Sequence, residues 1–151
     1  MSTLTEVHRW EDVNLGQWAQ VAQELGQRLP TAGVVAVHGA MGAGKTTMVR
    51  ALLAAWNVRE EGASPTFGLV HHHTVAGEQG TRDIRHMDLY RLQDEEEAER
   101  SGIAEMLLDH ALNLVEWPER IPALMPSDAW LIDISVNEDL TRTCILSRLR
   151  E

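Results

Sequence analysis

Residues 39–47 read Gly-Ala-Met-Gly-Ala-Gly-Lys-Thr-Thr. Gly39, Gly44, Lys45 and Thr46 satisfy the pattern G-x-x-x-x-G-K-[ST], a phosphate-binding loop of the Walker A kind. Glycines let the backbone adopt positive φ and approach a phosphate closely. Successive N–H groups of such a loop then point inward and cradle the anion. A helix beginning at Lys45 or Thr46 directs its positive end to the same point. Lys45 supplies a point charge for the β and γ phosphates. The Thr46 hydroxyl suits Mg²⁺, a hard cation that prefers oxygen. Lys45 is the only lysine of the chain, the other twelve basic residues being arginine. The guanine-reading signature Asn-Lys-x-Asp needs a second lysine, so ATP is the expected nucleotide.

Chemistry on a bound nucleotide needs a carboxylate for Mg²⁺ and a group to place the attacking water. Asp88 in HMDLYRL and Glu116 in LVEWPER both stand near the ends of expected strands, where ligands gather in α/β sheets. Each has an ordinary alternative: Asp88 as a cap for the segment after its strand, Glu116 as a surface acid. Trp117 sits over the nucleotide or a partner surface, or else is a core tryptophan. Ser64-Pro65-Thr66-Phe67 occupies the place of a first switch segment, where a hydroxyl feels the γ-phosphate, or is a plain turn into a strand. His71, His72 and His73 alternate faces on a strand and read as solvated edge residues rather than metal ligands. His38 is expected to be packed and hydrogen-bonded, and Cys144 to be inert core.

The elements that must carry these groups alternate in type, as in an α/β layer architecture. Asn14 caps a helix to about Leu29, with apolar Leu15, Trp18, Val21, Ala22, Leu25 and Leu29 at three- and four-residue spacing. Val34 to His38 is a buried strand, and Thr46 to Trp56 a helix. Residues 57–64 form a loop. Phe67 to Val75 and Arg82 to Asp88 form a hairpin at a sheet edge around AGEQG. Asp94 to Arg100 is an acidic helix with a solvated face, interrupted by Gly102 and continued from Ile103 to Asp109. Ala111 to Trp117, Ala129 to Val136 and Arg142 to Leu149 are strands.

The chain of 151 residues has room for a single domain, 1–151, able to bury a core without disulfides. Acidic residues outnumber basic ones 23 to 13, a formal charge of −10. That disfavours an unaided grip on nucleic acid or on an anionic membrane. One cysteine, no signal peptide and no long apolar stretch make a soluble cytoplasmic protein the expectation.

HGAMGAGKTT, SPTFGLV, HMDLYRL and LVEWPER, in that order and with similar gaps, resemble the TsaE (YjeE) family over about Leu15 to Arg142. The resemblance implies a three-layer P-loop NTPase sandwich, its sheet mostly parallel with antiparallel edge strands. It also implies Mg²⁺-dependent ATP hydrolysis, weak alone and stimulated in a complex with TsaD and TsaB. That activity would support threonylcarbamoyl transfer to the tRNA adenosine beside the anticodon, with tRNA met only indirectly through the partners. Position by position, it makes Gly42 to Thr47 the phosphate site, Thr46 and Asp88 the metal-side residues, and Glu116 the residue acting on the metal's water or the attacking water. Trp117 would lie near the nucleotide. The family usually carries Asp-Leu where Ala40-Met41 stand, and a tyrosine where His73 stands. From the residues alone, two other functions share the loop: a small-molecule or nucleoside kinase, and a binding module switched by nucleotide.

Overall fold

A computed structural model describes residues 3–59, 65–66, 68–77 and 80–150 of the chain. In order these form β1 (Thr3–Val13), α1 (Trp18–Arg28), β2 (Gly33–His38), α2 (Lys45–Ala55), β3 (Val70–Gly77), β4 (Gly80–Asp88), α3 (Glu95–Arg100), α4 (Ile103–Met106), β5 (Leu112–Glu116), β6 (Trp130–Val136) and β7 (Arg142–Arg150). The strands make one sheet in the order β1-β7-β6-β2-β5-β4-β3. Its centre is parallel, with β2 between β6 and β5 and β4 beyond β5. The outer pairs β1–β7, β6–β7 and β3–β4 are antiparallel.

Side-chain alternation sorts two cores onto the two faces of this sheet. Val35 and Val37 of β2 and Leu112 and Leu114 of β5 join Leu25 of α1 and Met48 and Leu52 of α2. Val34 and Val115 point the other way, to Ala98 and Ile103 of α3 and α4. A strand covered on both faces reads as an unbroken apolar run, and every residue of β5 is buried. The expected α/β class, parallel centre and edge hairpin therefore hold.

Three differences have local causes. The expected helix from Asn14 starts as a 3-10 turn, Leu15–Gln17, in which the Asn14 N–H donates to Gln17 Oε1 at 2.8 Å. Leu15 is consequently 82% exposed and does not belong to the buried stripe Trp18, Val21, Ala22, Leu25. The hairpin's first strand begins at Val70, because Thr66 and Val70 bond each other's backbone around a turn at Gly68 and Leu69. β1 was not expected at all: it adds an antiparallel edge to β7 and buries only Trp10 and Val13. No helix among the described residues is long and apolar enough to cross a membrane.

Candidate functional site

Register brings three chain segments together. Val37 at the end of β2 pairs with Glu116 at the end of β5, and Glu116 pairs with Asp88 at the end of β4. All three strands run the same way, so their carboxyl ends share one rim of the sheet. The loop 39–44 leaves that rim and enters α2 at Lys45. Its glycines are needed there. Gly42 and Gly44 have φ of 82° and 108°. A Cβ at Gly39 would stand 2.7 Å from the Ile134 carbonyl oxygen of β6. The first four N–H groups of a helix have no partner within it, so the start of α2 presents donors and the positive dipole end to the rim.

The rim encloses an open cavity of about 340 Å³, within the usual range for small-ligand sites. Gly42, Gly44, Lys45, Thr46, Thr47, Asp88, Glu116 and Trp117 line it, with Met41 and Tyr90 at its edge. Of Gly42 to Thr47, Asp88, Glu116 and Trp117, all expected from sequence, only Ala43 is absent from this lining. Its side chain is buried, and its N–H donates to the Ala40 carbonyl at 3.0 Å.

The charged groups are arranged in two sets. Lys45 is buried, and its Nζ donates to the Gly39 carbonyl at 2.5 Å and lies 3.4 Å from the Trp117 ring centroid. Burial pushes its proton affinity below the ordinary lysine value, opposed by the charges of Glu116, Glu119 and Asp88. Trp117 adopts φ of 60°, which turns its ring back over Lys45 and to within 5.0 Å of the Tyr90 ring. It also packs half-buried against the second core while lining the cavity. Glu116 is 1% exposed and not a surface acid. Its Oε1 accepts the Thr46 hydroxyl at 2.9 Å, and its Oε2 lies 2.5 Å from His86 Nε2. Asp88 is exposed at the cavity, and its Oδ1 accepts the Tyr90 N–H at 3.2 Å. It is thus both a cap and a lining carboxylate.

A hydroxyl with two carboxylates fits a hard cation that is otherwise held by water and substrate phosphates. Among the described residues no group of three or more His, Cys, Asp or Glu is arranged to hold a metal ion by itself.

Sequence reasoning missed two contributors. His86 buttresses Glu116 from the same strand as Asp88. Arg142, at the start of β7, donates to the Ala43 carbonyl at 2.8 Å. Nothing in their residue types marked either one. His38 is corrected: half-exposed rather than packed, with Asp133 Oδ1 2.7 Å from its Nδ1. His71 and His73 share a face with parallel rings 6.4 Å apart, while His72 is exposed. His73 pairs with Ile84 in mid-hairpin, outside the cavity lining. Cys144 is buried, which pushes its thiol up to about 12, as befits inert core. Asp94 caps α3 through the Glu97 N–H, and only Ala98 of that helix is buried. Ser64 and Phe67 of the expected switch segment lie outside the described residues, and Thr66 does not line the cavity.

The model of the TsaE family, described as threonylcarbamoyl adenosine biosynthesis protein TsaE, matches residues 13–144. The chain belongs to the TsaE family. Its relatives include the tRNA threonylcarbamoyladenosine biosynthesis protein TsaE of Treponema pallidum, 33% identical over 83% of this chain and 87% of that protein. The Haemophilus influenzae protein of the same name is 36% identical over 70% of this chain, which spans 65% of that relative's length. A crystal structure of YdiB from Bacillus subtilis superposes with a TM-score of 0.72 at 22% identity, covering 98% of this chain and 87% of that one. At that identity the likeness is one of fold.

Proposed function

We propose that this chain is a phosphate-loop ATPase that binds Mg·ATP at the β2–α2 loop and serves the threonylcarbamoylation of tRNA adenosine, with TsaD and TsaB as its partners. One observation carries the reading. The only lysine, the amides opening α2, the Thr46 hydroxyl and two carboxylates converge on one cavity at the carboxyl ends of parallel strands. The names of the relatives supply the pathway.

Each residue then has a role set by its chemistry. The α2 amides and Lys45 hold the polyphosphate, for which the Lys45 ammonium exchanges its Gly39 carbonyl for phosphate oxygen. Thr46 and Asp88 offer oxygen to Mg²⁺, which neutralises phosphate charge when bound. Glu116, fixed at both oxygens by Thr46 and His86, orients the attacking water with its remaining lone pairs. Trp117 closes the open side. Contact with tRNA through the partners rather than directly fits the charge of −10.

The test is phosphate release from ATP with and without the TsaB–TsaD pair. Slow turnover alone that rises on adding the pair is expected. Rapid partner-independent phosphorylation of a small metabolite would instead identify a kinase, and nucleotide binding with no turnover under either condition a switched binding module.

A further inference from the structure

Arg142 is half-buried and stands at the junction of three segments. Its own strand pairs it with Val13 of β1 on one side and Val136 of β6 on the other. Among the described residues its guanidinium hydrogen-bonds to backbone oxygen only. Nε donates to the Ala43 carbonyl at 2.8 Å, Nη1 to the Leu140 carbonyl at 2.5 Å, and Nη2 makes a long contact, 3.5 Å, with the Gly42 carbonyl. Two of these acceptors belong to the glycine loop and one to the β6–β7 turn, where Leu140 is held at φ of 69°.

A trans peptide is planar, with its C=O and N–H pointing in opposite directions. The Ala43 carbonyl and the Gly44 N–H belong to the same peptide unit. An arginine that fixes that carbonyl therefore fixes the Gly44 N–H in the opposite direction, and Gly44, unlike Ala43, lines the cavity. The Gly42–Ala43 unit is held differently, since its N–H already donates to the Ala40 carbonyl at 3.0 Å. Gly44, at φ of 108°, has no side chain to restrain it, and the Arg142 bond restrains this peptide from outside the loop.

We propose that Arg142 is a positioning residue for the anion site: it clamps the Ala43–Gly44 peptide so that the amide opening α2 is aimed at a phosphate before any ligand arrives. The clamp takes a fork-shaped donor, since one head must reach the loop and the turn at once; an ammonium has the charge but not the span. This inference rests on the reading of the cavity as a polyphosphate site.

Calorimetry with Mg·ADP and with Mg·tripolyphosphate on the full chain, Arg142→Met and Arg142→Lys tests it. Arg142→Met is expected to weaken both ligands about tenfold or more, by equal factors, because the cradle and not the base site is disturbed. Arg142→Lys is expected to recover less than half of that loss. A folded Arg142→Met protein that binds Mg·ADP within about twofold of wild type overturns the proposal. So does a loss confined to ADP, or full recovery by lysine. If the methionine variant does not fold, wild-type affinity in Arg142→Lys overturns it equally. Absence of binding by the wild-type chain would instead refute the anion site itself, which separates the two failures.

Discussion

Lys45→Met separates affinity from stability in opposite directions. Methionine keeps the aliphatic stem and removes the ammonium. In the free protein that ammonium has two partners, the Gly39 carbonyl and the Trp117 face. A hydrogen bond from a charged donor is worth about 1.5–3 kcal/mol and a desolvated cation–π contact about 2 kcal/mol. Yet the proton affinity of Lys45 lies below the ordinary lysine value, with burial the largest cause. A base whose folded value is depressed binds its proton less tightly in the native state than in the unfolded one. Stability then rises with pH through the range between the two values, and the charged form is a net cost to folding. Removing the charge should leave the melting temperature equal or higher. Affinity should fall instead, because a phosphate loses its buried cationic partner. Truncating such a pair costs about 2–5 kcal/mol, or about 30-fold to several thousandfold in Kd. Thermal unfolding by circular dichroism and calorimetry with Mg·ADP give the two quantities. A Kd within about threefold of wild type refutes the role in binding. A melting temperature lowered by more than about 5 °C refutes the desolvation argument.

Glu116→Gln keeps a carbonyl oxygen for the Thr46 hydroxyl while removing the carboxylate. Partner-stimulated phosphate release should fall by about 10²-fold or more, with Kd for Mg·ADP changed only a few-fold; undiminished release in a rapid-quench assay sinks the assignment. Asp109 is held below the ordinary carboxylate value first by its hydrogen bonds to Arg85, whose Nη1 and Nη2 reach its two oxygens at 2.8 and 2.5 Å. A depressed carboxyl contributes stability above its ordinary value of 3.8, and that contribution is lost as pH falls through the lower folded value. Asp109→Asn should therefore cost about 1 kcal/mol in urea unfolding at neutral pH. The difference from wild type should vanish below the folded value, and a penalty that persists in strong acid would contradict this.

The features legible in the sequence were those that backbone chemistry dictates. Gly39, Gly42 and Gly44 are required by a close approach to β6 and by positive φ, and such requirements fix residue type as well as spacing. β2 and β5 are buried on both faces, so their apolar runs announce them. Asp88 and Glu116 were found because both end strands of the parallel centre. β1 was illegible because its burial is confined to Trp10 and Val13, which leaves no sustained alternation to read. Arg142 and His86 were illegible for another reason. Arg142 acts on carbonyls some 100 positions away, and any residue can supply a carbonyl. His86 reaches the cavity through Glu116, and the two come together by the pairing of β4 with β5, which a linear pattern does not encode.

A protein of net charge −10 is an unpromising host for a polyphosphate, and the cavity does not locally reverse that sign. Lys45 is the one ammonium, and the charges of Asp88, Glu116 and Glu119 all act on it. Two neutral features shift the balance. The amides of an oriented helix start carry positive partial charge without a counter-ion, and in a partly buried site such dipoles act through a low dielectric. The remaining deficit is met if the anion arrives with its own divalent cation, to which Thr46 and Asp88 offer oxygen and of which the nearby carboxylates are a favourable neighbour rather than a repulsive one. On the proposed function, the acidic surroundings that oppose a bare nucleotide therefore select for the metal complex. On that proposal the site would distinguish Mg·ATP from free ATP by charge before any specific contact is made.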